Sequence, residues 1–131
     1  MKLFLDSADI EEIKNGATLG VISGVTTNPS LAAKAGVGGV EAYKLAVQEI
    51  AGIVDGPISI EVISDDPDEM ILEGRDYATW IDNPWVKLPS SAAGFQAMKV
   101  LSMEGIQINQ TLCFSVNQAL LGAQAGATAV S

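Results

Sequence analysis

Between Pro57 and Pro89 the chain reads Ile58-Ser59-Ile60-Glu61-Val62-Ile63, then Asp65-Asp66-Pro67-Asp68-Glu69, and finally Trp85-Val86-Lys87-Leu88. The first and last runs are short, apolar and rich in β-branched or aromatic residues, which is the pattern of a strand. The middle run opens on acidic residues with a proline in the first turn. That is a helix start, because the first helical N–H groups lack partners and the N-terminus favours negative charge. The helix is expected to run to about Trp80 and to break at Asp82-Asn83-Pro84. Strand, helix, strand at this spacing implies a right-handed βαβ crossover and parallel pairing.

The same unit repeats in both directions. Toward the N-terminus, Leu3-Phe4-Leu5 is a short strand and Ala8 to Ile13 opens a helix with Asp9, Glu11 and Glu12 early. Val25-Thr26-Thr27-Asn28 ends at Pro29. Ser30 to Ile53 reads as helix twice, interrupted by Ala35-Gly36-Val37-Gly38-Gly39, with Val40, Tyr43, Leu45, Val47 and Ile50 on an apolar stripe. Toward the C-terminus, Ala92 to Met103 is a helix ended by Gly105, and Ile106 to Phe114 is a fifth strand. Val116 to Ala125 is a helix ended by Gly126, and Thr128-Ala129-Val130 begins a sixth strand. Five βα units and the opening of a sixth strand place the chain in the α/β class. An open doubly wound sheet concentrates its polar groups at one switch point, whereas a barrel collects them from the ends of successive strands. Asp6, Thr26, Asn28, Glu61, Lys87, Asn109 and Thr111 are spread in the second way. Residues 1–131 are therefore expected to form a single, incomplete (β/α)8 TIM-barrel domain.

Composition narrows the function. Of 131 residues 48% are hydrophobic, so the chain is core-forming and not disordered. Sixteen acidic against seven basic residues leave a net charge of −9, which argues against nucleic acid, whose phosphates need clustered Lys and Arg. No apolar run approaches the ~20 residues that span a bilayer, and Asp6 interrupts the N-terminal apolar residues too early for a signal peptide. The single cysteine, Cys113, excludes a disulfide scaffold and suits a reducing, cytoplasmic compartment. Cys113 itself is expected to be a small core residue. With no histidine, proton transfer must use carboxylates, lysine, tyrosine, hydroxyls or water, and no metal-ligand spacing is present.

Lys87 is the most informative position. Inside a parallel strand an ammonium loses hydration, and desolvation favours the neutral, nucleophilic amine that can attack a carbonyl. The alternative is a lysine whose stem lies along the strand and whose ammonium reaches water. Asp6 and Glu61 follow or lie within apolar runs, a setting that implies partial burial. Each could partner the lysine or act in proton transfer, but Asp6 taken alone reads first as the cap of the following helix, since Leu5-Asp6-Ser7 looks like an N-cap region. Thr26-Thr27-Asn28 and Asn109-Gln110-Thr111 could hold hydroxyls of a polyol or orient a water; as turns and caps they would look the same. The Asp65–Glu69 cluster reads as a solvated helix start, and Arg75, the sole arginine, as one half of a surface ion pair.

Taken together, Phe4-Leu5-Asp6-Ser7-Ala8, Gly24-Val25-Thr26-Thr27-Asn28-Pro29-Ser30-Leu31, Val86-Lys87-Leu88-Pro89, Asn109-Gln110-Thr111-Leu112-Cys113-Phe114-Ser115 and Asn117-Gln118-Ala119-Leu120-Leu121 resemble the small transaldolase family. That family includes the fructose-6-phosphate aldolases. The resemblance implies a (β/α) barrel and cofactor-free class I aldol chemistry through a lysine Schiff base. By position, Lys87 matches the Schiff-base lysine, and Asp6 the carboxylate that moves the substrate hydroxyl proton. Glu61 and Thr111 match the residues that hold the catalytic water, while Thr26, Asn28 and Asn109 match groups lining the donor site. Glu61, where the aldolase branch tends to carry Gln, points to transfer of a dihydroxyacetone unit between sugar phosphates. Fructose 6-phosphate, erythrose 4-phosphate and sedoheptulose 7-phosphate are the implied substrates. Ser90-Ser91 after Pro89 departs from the family pattern without touching a matched role. The pattern continues beyond Ser131 with further strands and a basic phosphate site, so the chain is expected to be C-terminally truncated and to form homo-oligomers. Two other readings remain: a silent partial barrel that self-associates through exposed strand edges, and a simple aldolase, of the fructose-6-phosphate or deoxyribose-phosphate type.

Overall fold

In a computed structural model the chain is described at residues 1–34, 36 and 38–131. Strands and helices alternate as β1 (Phe4–Asp6), α1 (Ile10–Thr18), β2 (Gly24–Thr26), α2 (Pro29–Lys34), α3 (Val40–Ala51) and β3 (Ile58–Glu61). They continue as α4 (Pro67–Tyr77), β4 (Pro84–Pro89), α5 (Ala92–Met103), β5 (Gln107–Thr111), α6 (Val116–Ala125) and β6 (Ala129–Val130). The chain divides into two compact units, Met1–Ile60 with Trp80–Pro84, and Glu61–Thr79 with Trp85–Ser131.

In the first unit β1 pairs with β2 and β2 with β3, both parallel, with Leu5 opposite Val25 and Val25 opposite Ile58. Its core is Ile13, Val25, Tyr43, Val47, Ile50, Ile58 and Trp80, all buried; each large apolar side chain contributes ~1.5–3 kcal/mol on burial. Tyr43 and Trp80 meet edge to face at 5.9 Å. In the second unit β4 pairs with β5 and β5 with β6, again parallel. Met70, Tyr77, Val86, Leu88, Met98, Leu101 and Ile108 fill its core. Within each unit the strands follow one another in chain order, with no reversal of the kind that marks a doubly wound sheet. With parallel pairing and alternating helices, the fold is α/β of the partial (β/α)8 barrel type.

Helix starts follow local chemistry. Asp66 caps α4 by accepting from Asp68 N and Glu69 N (3.0 and 3.1 Å), Ser91 caps α5, and Ser115 caps α6. Such a cap is worth ~1 kcal/mol. At α6 the chain leaves through Gly126 at φ 103°, a left-handed conformation that a side chain would oppose.

Several expectations are corrected. Asp9, not Asp6, caps α1, accepting from Glu11 N and Glu12 N, so the capping role is taken three residues later. β3 stops at Glu61, and Ile63 is exposed with its N–H on Glu73 Oε2. β5 stops at Thr111 because Leu112 takes φ 54° and turns the chain out of the extended region. Cys113 follows in that turn, half-exposed and not in the core, with Sγ donating to Ser115 O. On α3, Tyr43, Val47 and Ile50 face the core, while Val40 and Leu45 lie on the solvent side. Of the expected helix interruption at residues 35–39, Ala35 and Val37 lie outside the described residues.

Candidate active site

Side chains alternate along a strand, so β4 sends Val86 and Leu88 to one face and Lys87 to the other. Val86 and Leu88 are fully buried against the helix side, which fixes the register and commits Lys87 to the opposite face. There Lys87 does not reach solvent: its side chain is 8% exposed, and Nζ lies 3.1 Å from Glu61 Oε2, whose side chain is 19% exposed. Val62 N donates to Lys87 O at 3.2 Å and holds the backbone next to Glu61 against β4. Taking two charges out of water is costly, and an ion pair recovers that only with close geometry. An amine beside a carboxylate can exchange a proton with it and, once neutral, can add to a carbonyl carbon.

Asn109 stands directly opposite Lys87 in the β4–β5 register, and Thr111 opposite Pro89 two residues on. They therefore share one face of β5. Asn109 is 2% and Thr111 6% exposed, and Asn109 Oδ1 accepts from Ser131 Oγ at 2.7 Å. The second unit thus brings Lys87, Glu61, Asn109 and Thr111 onto neighbouring strand positions.

The first unit holds the other three candidates. Asp6 is opposite Thr26 in register, and Thr26 Oγ1 donates to Asp6 Oδ1 at 2.8 Å. Partial burial was expected for Asp6, but it is exposed, because β1 is only three residues long and ends there. Asn28 Oδ1 accepts from Leu31 N at 2.8 Å, so the turn-and-cap reading holds for this residue. Thr27 faces the other way and is fully buried, donating to Ser59 O and sharing a 2.7 Å hydrogen bond with Tyr43 Oη; it belongs to the packing.

Two polar residues named in the sequence patterns, Gln110 within Asn109-Gln110-Thr111 and Ser90 after Pro89, are brought together away from the Lys87 face. Gln110, on the helix-facing side of β5, is fully buried and bonds Ser90 Oγ and Gln118 O. Ser90, just beyond β4, donates from both N and Oγ to Thr111 O (2.9 and 2.7 Å). The available signal was Gly122 in the middle of α6, where any Cβ would collide with the Gln110 amide.

Among the described residues no group of three or more His, Cys, Asp or Glu is placed to hold a metal ion. No helix of the described residues is long and apolar enough to cross a membrane.

Residues 3–131 match the family described as transaldolase/fructose-6-phosphate aldolase. Over its whole length the chain is 52% identical to a probable transaldolase of Dehalococcoides mccartyi, covering 60% of that protein. It is 55% identical to one of Myxococcus xanthus and 56% identical to one of a Thermoanaerobacter species, covering 57% and 59% of their lengths. The chain thus spans somewhat under two-thirds of the curated relatives it matches. The parallel βα units, the buried lysine–carboxylate pair and these likenesses agree: the chain belongs to the transaldolase/fructose-6-phosphate aldolase family.

Proposed function

We propose that Lys87 is a Schiff-base nucleophile and that the site transfers a dihydroxyacetone unit between sugar phosphates. The observation that carries this reading is the 3.1 Å pair of Lys87 Nζ and Glu61 Oε2, withdrawn from water on the strand face opposite the core. Glu61 takes a proton from the ammonium, and the freed amine adds to the C2 carbonyl of fructose 6-phosphate. The carbinolamine loses its hydroxyl as water to give a protonated imine. The bond between C3 and C4 then breaks, its electron pair moving into the imine, as Asp6 accepts the C4 hydroxyl proton. Glyceraldehyde 3-phosphate leaves, and the enamine carbon attacks the aldehyde of erythrose 4-phosphate, the Asp6 proton returning to the new hydroxyl. Water held by Glu61 and Thr111 hydrolyses the imine and releases sedoheptulose 7-phosphate. The protonated imine is itself the electron sink, so the sequence of steps uses no cofactor and no metal. The parts given to Asp6, Thr26 and Asn28 rest on the resemblance of their motifs. The donor-site part of Asn109 likewise rests on the resemblance and is supported by its position opposite Lys87 in the register. A sugar-phosphate pool and an unpaired Cys113 suit the cytoplasm.

Borohydride reduction with fructose 6-phosphate tests this. The expected result is a three-carbon adduct on the peptide containing Lys87. No adduct here, with normal labelling of a full-length relative, would overturn the reading for this chain. Erythrose 4-phosphate added as acceptor separates transfer from plain cleavage.

One observation favours a second reading, in which the chain associates with copies of itself. Phe114, Val116, Leu120 and Leu121 are 83%, 76%, 63% and 55% exposed on α6 and the turn before it, and exposed large apolar side chains concentrated in one segment favour association. Light scattering after size exclusion decides it; a well-behaved monomer sinks the idea.

A further inference from the structure

Gln110 occupies a fully buried, helix-facing strand position of the kind usually filled by an aliphatic residue. It sits opposite Leu88 in the register, between Ile108 and the α6 helix, and is fully buried. Its Oε1 is buried with no hydrogen-bond partner among the described residues, which is unfavourable and which leucine or methionine would avoid. What the amide gains is two bonds from Nε2, to Ser90 Oγ at 2.9 Å and to Gln118 O at 2.8 Å. Each of these partners bonds onward. Ser90 grips the Thr111 carbonyl through both N and Oγ. Gln118 accepts from Phe114 N at 2.8 Å and from Ser115 Oγ through Oε1, and its Nε2 reaches Ser90 O. The turn after Thr111, with Leu112 at φ 54°, is thereby tied at both ends. Gly122 leaves the space the amide occupies, so helix and glutamine are matched.

We propose that Ser90, Gln110 and Gln118 form a polar clamp and are positioning residues for Thr111. The clamp fixes the end of β5 and the Leu112–Ser115 turn, so that the Thr111 side chain holds its place relative to Lys87 on the neighbouring strand. None of the three touches the reacting atoms; they act through the Thr111 backbone and the turn. The proposal deepens the imine reading above and rests on it for the role of Thr111.

The test uses the full chain with Gln110→Met, Ser90→Ala and the conservative Ser90→Thr. Two quantities are read: hydrogen exchange of the Phe114 amide, and the rate of borohydride-trapped adduct on Lys87 at varied fructose 6-phosphate. Gln110→Met and Ser90→Ala each remove two bonds of the clamp and, by loosening the turn that Gln118 holds, should speed Phe114 exchange about tenfold. They should also slow trapping about tenfold at unchanged half-saturating sugar, because misplacement of a group near the reacting atoms lowers rate more than affinity. Ser90→Thr, which keeps the hydroxyl, should restore both. Faster exchange with an unchanged trapping rate would overturn the positioning role and leave a structural one. Unchanged exchange would overturn the clamp itself. If the parent chain forms no adduct, the imine reading fails, and the clamp is judged by Phe114 exchange alone. Should Gln110→Met fail to fold, Ser90→Ala, at a half-buried position, still decides the matter.

Discussion

The second unit carries two ion pairs that contrast in nearly every respect. Arg75 and Glu104 meet on the surface between α4 and the end of α5, joined by two hydrogen bonds of 3.0 and 2.6 Å. The guanidinium holds the Glu104 carboxyl below its ordinary range, chiefly through those hydrogen bonds, and the carboxylate raises Arg75 in return. Both groups stay in water, so little desolvation opposes them and little net stability follows. Lys87 and Glu61 meet at a similar distance but on a strand face largely closed to solvent. There the loss of hydration is large, and a buried pair is seldom more stable than the apolar residues that could replace it. The surface pair is explained by its place on the helices. Stability does not explain the Lys87–Glu61 pair.

The largest break in this contrast comes from removing one buried partner. Lys87→Ala should abolish borohydride trapping and destabilise the fold by about 3 kcal/mol, because Glu61 is left without its counter-charge. The double variant Lys87→Met with Glu61→Gln should recover most of that loss in urea unfolding while staying inert. If the double variant is no more stable than Lys87→Ala, the two residues are not coupled as the geometry indicates.

Glu61→Gln alone keeps the amine but removes the proton acceptor beside it. Imine formation and hydrolysis should slow by about 10²-fold, with the half-saturating sugar concentration changed far less. Rapid-quench trapping measures this, and equal rates in parent and variant would remove Glu61 from proton transfer.

The smallest effect should be at the surface. Glu104 has its carboxyl lowered in the folded chain, so its contribution is present above the ordinary carboxylate range and is lost as pH falls through the lowered folded value. Arg75→Ala should therefore reduce stability slightly at neutral pH and have no effect in strong acid. It should matter less still at high salt. A pH-independent loss in urea unfolding would mean that the Arg75 stem, and not its charge, does the stabilising.

Most of the repeating architecture could be read directly. α5 and α6 have the expected bounds because their ends are written locally, by Ser91 and Ser115 as caps and Gly126 as the left-handed stop. Strand ends were less legible. β5 was expected to reach Phe114, since Leu112, Cys113 and Phe114 are as strand-like as any residues in the chain. The left-handed Leu112 ends it instead, held by the Gln110–Ser90–Gln118 bonds between residues distant in sequence. For the site, Lys87 and Glu61 are visible as charges inside apolar runs, and Asn109, Gln110 and Thr111 as one polar string; only the β4–β5 register separates Asn109 and Thr111 from Gln110. Asp6 was misjudged in burial because an apolar run predicts burial only while the strand continues. Gln110 reads from sequence as part of one polar string with Asn109 and Thr111, but alternation along β5 turns it to the buried, helix-facing side.

The sequence by itself determined the alternation of strands and helices, the α/β class and the candidate lysine and carboxylates. Periodicity, caps and turn residues act over a few neighbouring positions and are written where they act. Only the tertiary structure decided between a Lys87 that reaches water and one paired with Glu61 at 3.1 Å. Burial and counter-charge are supplied by another strand, and a distance across a sheet is set by packing, not by local pattern.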